Sequence, residues 1–227
     1  MKNKKGFTLP EILITVVVIG IIAAITINII NTNVRKAEIE SKLKQNYAIF
    51  NNALTQATID NGAIDSWPIF REKGSSTLTE KEFLEKYIIP NIKLIKPLEQ
   101  TSLKELGYSR VFKQPNGSND TNFPYTANFN VLSLNNGTII FPIYYGNKDG
   151  LVIPMDINGI KGPNVFGKDA FAFYIDFNDF TPRVWGFGAT LAGASGNINN
   201  CKTYGQYCAT LIQAAGWKIP KDYPVKI

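Results

Sequence analysis

An α+β architecture is predicted, with a long N-terminal helix packed on a C-terminal antiparallel β-sheet. Three observations carry that expectation. A nearly unbroken apolar run fills residues 12–27, and apolar residues then recur at helical spacing as far as Asn61-Gly62. After residue 127 the pattern changes to period-two stretches and short apolar runs. Finally, Asn135-Asn136-Gly137 sits between two such stretches, and Asn-Gly readily takes the positive φ of a hairpin turn. Helix first and strands afterwards is the order of a helix laid on a sheet.

The elements follow in chain order. Met1 to Gly6 is a short basic leader, and Phe7-Thr8-Leu9-Pro10-Glu11 opens the apolar run. Pro10 suits the first turn of a helix, where its missing N–H has no intrahelical partner to lose. A helix over residues 7–30 would be about 36 Å long at about 1.5 Å per residue, enough for a hydrocarbon core of about 30 Å. This is a single-span anchor. Residues 31–62 continue it as an amphipathic rod whose apolar stripe, Leu43, Tyr47, Phe50, Leu54 and Ala57, is expected to pack on the protein's own sheet.

Residues 63–227 form the globular part. Residues 79–87 read as a short helix opened by Thr79, with Glu82 completing a capping box. Residues 116–120 read as an exposed loop. Strands are expected at 128–134, 138–144, 151–156, 171–177 and 183–187. The tail over residues 216–224, aromatic, basic and proline-rich, is expected to cover the sheet edge.

The leader makes a specific statement about processing. An ordinary secretory signal has its small-residue cleavage site beyond the apolar stretch. Here the plausible site, Lys5-Gly6-Phe7, precedes that stretch, so cutting between Gly6 and Phe7 removes the lysines and leaves the anchor on the mature chain. The segment Lys5-Gly6-Phe7-Thr8-Leu9-Pro10-Glu11 resembles the processing site of type IV pilins and type II secretion pseudopilins, over residues 1–30. The family usually has an aliphatic residue at the position of Pro10.

That resemblance implies a pilin-like fold and cleavage after Gly6 by a membrane prepilin peptidase, with N-methylation of Phe7. It also implies assembly with other pilin or pseudopilin subunits, in a homo- or hetero-filament, on an inner-membrane platform. The glutamate matching Glu11 neutralises the methylated amine of a neighbouring subunit, and Thr8 adds a hydrogen bond at that junction. A carboxylate near a bilayer is expensive unless paired. The plainer role for Glu11 is support of its own helix N-terminus. Gly20 matches a helix-weakening glycine of the family, or else is a close-packing contact between membrane helices.

Composition narrows the rest. The chain has 227 residues and no histidine, which excludes a Ser-His-Asp triad, a Cys-His dyad and histidine-ligated zinc. The net charge is +6, but the leader carries three of the 24 basic residues, leaving 21 against 18 acidic ones, or +3. That is a weak footprint for nucleic acid, which is not an expected partner. With the leader lysines in the cytoplasm, the globular part lies outside the cytoplasmic membrane, where disulfides persist. The chain is then a single-pass inner-membrane protein that ends in a periplasmic or surface filament. A Cys201–Cys208 bridge follows as the default, worth about 2–3 kcal/mol in the loop-entropy account and expected to pin a surface loop.

Residues 156–164, followed by Gly167-Lys168-Asp169, alternate oxygen side chains with turn glycines, as hard-cation loops do. Asp156, Asn158 and Asp169 are the candidate calcium ligands, and some secretion pseudopilins carry calcium in a C-terminal loop. Against this, an EF-hand's third position and terminal glutamate are missing, and Lys161 and Lys168 lie close in sequence. The alternative is a turn in which Asp and Asn bond local backbone amides. No other cofactor is called for.

Two functions remain open. The first is a structural subunit of a type IV pilus-like filament or type II secretion pseudopilus, not an enzyme. The second is a minor tip subunit, a membrane-anchored binding module for DNA or a surface ligand.

Overall fold

The computed structural model describes residues 6–68, 79–144, 150–176, 183–186 and 197–227. The leader lysines Lys2, Lys4 and Lys5 and the expected strand ends Phe177 and Phe187 lie outside them. The chain divides into two compact units, Met1–Glu38 with Ile227, and Ile39–Lys226.

Helix α1, Leu9–Asn61, runs through the division. In the first unit its residues are almost all exposed, including the isoleucines and valines of residues 12–30. Among the described residues it is the one helix long and apolar enough to cross a membrane.

In the second unit the same helix has a buried stripe. Leu43, Phe50, Leu54 and Ala57 are buried as their spacing requires, joined by Ile39 and Ala53. The helix stops after Asn61, where Gly62 takes φ +82°. Thr79 then caps α2, Glu80–Phe83, with the expected capping box: Glu82 Oε2 accepts from the Thr79 amide at 2.6 Å, and Thr79 Oγ1 accepts from the Glu82 amide. The chain continues as a π-helical turn, Leu84–Ile88.

Among the described residues seven strands form one antiparallel sheet: β1 Glu99–Ser102, β2 Asn128–Ser133, β3 Ile139–Ile140, β4 Ile143–Tyr144, β5 Gly150–Asp156, β6 Ala170–Asp176 and β7 Arg183–Gly186. The order is β1-β2-β3-β5-β6-β7, with β4 also on β5. The hairpin turn forms as its Asn-Gly predicts, with Gly137 at φ +85° and the Leu134 amide donating to Thr138 O at 2.9 Å. The strand expected at 138–144 is split into β3 and β4 around Phe141-Pro142, since proline has no N–H for the ladder.

Every residue of β5 is buried, because both faces of the sheet are covered. On one face lies α1. Its buried Asn46 donates from Nδ2 to Thr138 Oγ1 at 3.1 Å and accepts from Asn136 Nδ2 at 2.8 Å, while Lys42 Nζ donates to Asn136 O. These bonds fasten the hairpin turn to the helix. The tail departs from expectation: Trp217 packs against Tyr47 of α1, ring centroids 4.9 Å apart and planes tilted by 45°, and meets Phe173 of β6 edge-on. Lys218 and the Ile219 amide both reach Glu40. The tail therefore covers the seam between α1 and an inner strand, because an indole buries more area there than at an open edge.

The opposite face holds an aromatic core in which the Phe112 ring lies 5.4–5.6 Å from Tyr108, Phe123, Phe141 and Phe166. Beside it, α3, Asn197–Tyr204, and α4, Cys208–Ala214, are joined by the Cys201–Cys208 disulfide. The bridge was expected to pin a surface loop. Instead both cysteines are wholly buried and tie two short helices, of which α3 is mostly polar.

Candidate functional site

The N-terminal segment builds its site from Thr8, Pro10 and Glu11, beside Phe7. Thr8 caps α1, Pro10 fills the first turn, and Glu11 stands three residues past the cap. Glu11 Oε2 accepts from the Thr8 amide at 2.8 Å and from Thr8 Oγ1 at 2.7 Å, and the Ile12 amide donates to Thr8 O at 3.2 Å. Oε1 of Glu11 accepts no hydrogen bond among the described residues. Thr8 and Glu11, singled out for contact between subunits, are thus brought together within one chain. Helix support thus uses one oxygen of the carboxylate. Phe7 is exposed beside this cap. Gly20 lies in continuous helix, and a Cβ there would meet nothing.

The second cluster lies where β5 hands over to β6. Asp156 ends β5 wholly buried, and Asp169 precedes β6 at 4% exposure. Asp156 Oδ2 accepts from the Tyr108 hydroxyl at 3.0 Å and Oδ1 from the Asn158 amide at 3.1 Å. Asp169 accepts from the amides of Asn164 at 2.8 Å and Val165 at 2.7 Å, and Asn158 Nδ2 stands 3.5 Å from its Oδ2. The three residues named from sequence therefore do converge. Tyr108, 48 positions before Asp156, carried no sequence signal for this role. Among the described residues no three His, Cys, Asp or Glu side chains form a metal-binding group.

Burial first, and the neighbouring Asp169 carboxylate second, push the Asp156 carboxyl well above the usual range, against hydrogen bonds from Asn158, Tyr108 and Gly159. Burial and the two carboxylates also raise the Tyr108 hydroxyl. Native Asp156 thus keeps its proton at a pH where the unfolded chain, near the ordinary aspartate value of about 3.9, has lost it. Its stabilising effect is complete below that value and is lost as pH rises through the native one. In chelator, Asp156→Asn is therefore expected to lose less stability than the parent between about pH 4 and neutrality. Urea unfolding of both proteins across that range reads the difference; parallel pH profiles would show that Asp156 is not held protonated.

Family models match this chain in two places. Residues 1–27 match the prokaryotic N-terminal methylation motif. Residues 29–227 match a family of unknown function, DUF6613. The chain belongs to the DUF6613 family. No curated protein and no solved structure matches it. The methylation motif is the type IV pilin and pseudopilin signal, so this DUF6613 member carries a pilin-type N-terminus on a helix-on-sheet fold. The motif implies processing by prepilin peptidase and assembly with other pilin subunits, and it points to a structural protein rather than an enzyme. Motif and apolar helix together fit an inner-membrane-anchored protein.

Proposed function

We propose that the mature chain is a structural subunit of a type IV pilus-like filament or a type II secretion pseudopilus, assembled through residues 7–30. The observation that carries this reading is the exposed apolar helix with Glu11 near its start, one oxygen engaged by Thr8 and the other open to a second chain. Apolar helices packed side by side leave water, and a charged amine at Phe7 then needs a carboxylate close by. Glu11 of the neighbour provides it and fixes the axial register. The anchor sits in the inner membrane before assembly, with the platform and peptidase as partners. The disulfide supports placing the globular unit outside the cytoplasm, where such bonds last.

Processing tests this reading. Intact-mass and N-terminal analysis of protein from the native envelope should give a chain starting at N-methylated Phe7. Mature protein that keeps residues 1–6 as its main form would overturn it.

A further inference from the structure

We propose that a pocket at the disulfide loop binds a neutral N-acetylated sugar residue. The pocket has a volume of about 310 Å³ and lies where that loop meets strands β4 and β5. Three of its lining residues, Tyr204, Gln206 and Tyr207, belong to the loop closed by Cys201 and Cys208, and Asn122 and Phe123 join them. Ligand pockets run from about 300 to 1,000 Å³, so this one has room for a single ring rather than a chain. Assembly through residues 7–30 uses none of these residues.

The lining selects the ligand class. Among the described residues none that lines the pocket is charged, so an ion entering it would lose water without gaining a counter-ion. Phe123, Val152 and Ile143 supply apolar surface, the first two of them buried. The open polar groups are all neutral. The Asn122 side-chain amide, Gln206 Oε1 and the Tyr204 hydroxyl make no hydrogen bond among the described residues. Carboxamides and hydroxyls both donate and accept, as the hydroxyls of a sugar do. Tyr204, 46% exposed, adds an aromatic ring whose electron-rich face suits the C–H bonds of a pyranose. An N-acetyl group brings an amide for the carboxamides and a methyl for the apolar surface, which a plain hexose would leave bare. An apolar peptide side chain would cover that surface but leave the polar groups unpaired, at a cost in affinity.

Both carboxamide residues are held from behind by one buried carboxylate. Asp120 is 2% exposed; its Oδ2 accepts from Gln206 Nε2 at 3.0 Å and its Oδ1 from the Asn122 backbone amide at 2.9 Å. The loop itself is closed by the disulfide and pressed by Gly205 onto the Phe166 backbone. Groups fixed in this way lose little freedom when a ligand arrives, which is what a binding site requires.

The test uses the mature full-length chain in a detergent without a sugar headgroup, titrated with N-acetylglucosamine and read by saturation-transfer NMR. The dissociation constant should be roughly millimolar, as befits a ligand of one ring. Tyr204→Ala and Asn122→Ala alter exposed positions, so each should melt as the parent does while weakening binding by about tenfold or more. Ile198→Ala, exposed on the same helix α3 but outside the pocket, should bind as the parent does. Two further probes separate the sources of such a residue: chitobiose for a neutral glycan, and the disaccharide of N-acetylglucosamine and N-acetylmuramic acid for a cell wall. With no cation in the lining, chitobiose should bind at least as tightly as the anionic disaccharide, and the reverse order would overturn the assignment to a neutral sugar. Absence of transfer at about 10 mM N-acetylglucosamine overturns the proposal, as does binding that both pocket variants retain in full. Cyclohexanol binding as tightly as the sugar would also overturn it, because the pocket would then be a seat for an apolar side chain of another chain.

Discussion

Glu11→Ala, as the only copy in the cell, is expected to be inserted and cleaved like the parent yet to reduce filaments by about a hundredfold or more. The leader and apolar run are untouched, so membrane insertion and the Gly6-Phe7 junction should work. What is lost is the carboxylate proposed to meet the Phe7 amine of the next subunit. The same carboxylate also bonds Thr8 at the start of its own helix. Glu11→Gln separates the two roles. A glutamine at this position of a capping box can still accept from the cap residue's amide, but it carries no charge. If pairing with the amine drives assembly, Glu11→Gln fails as Glu11→Ala does. If capping is what matters, Glu11→Gln assembles and Glu11→Ala does not. Filament counts by electron microscopy, with cleaved subunit in the membrane measured by blotting, decide the matter. Normal filaments from both variants would remove Glu11 from the assembly mechanism.

The fold was legible where the physics is local. The buried stripe from Leu43 to Ala57 follows from helical period, the α2 start from Thr79 and Glu82, and the hairpin from Gly137, each decided within a few residues. What the sequence hid depends on distant partners. Strand β1, Glu-Gln-Thr-Ser, has neither alternation nor apolar content; it forms because β2 offers it a ladder along the sheet edge. Helix α3 is mostly polar, and the covalent bond to Cys208 together with packing, not propensity, holds it. The same holds for the β5–β6 cluster. Alternating oxygen side chains mark Asp156, Asn158 and Asp169, whereas the Tyr108 hydroxyl reaches Asp156 only once the aromatic core around Phe112 has formed.

The largest expected loss of stability from a single methyl group is at Gly205. This residue ends α3 at φ +74°, its amide donates to Cys201 O at 2.9 Å, and its carbonyl accepts from the Cys208 amide at 3.0 Å. It is thus the turn of the disulfide loop, and it lies against the Phe166 backbone. A Cβ here would stand 2.4 Å from Phe166 O and 2.5 Å from Phe166 C, atoms that no side-chain rotation can move aside. Gly205→Ala therefore combines about 1–2 kcal/mol for a left-handed alanine with about 1–3 kcal/mol for forced displacement of packed groups. Gly216 gives the control, since it has φ +68° with nothing within 4 Å of its Cβ. Gly216→Ala pays only the backbone part. Thermal unfolding of the two variants should place Gly205→Ala lower by roughly 2–10 °C. Equal melting of the two alanine variants would mean that the α3–α4 turn yields to the methyl group, and that the close approach to Phe166 constrains neither the disulfide loop nor the residues beyond it.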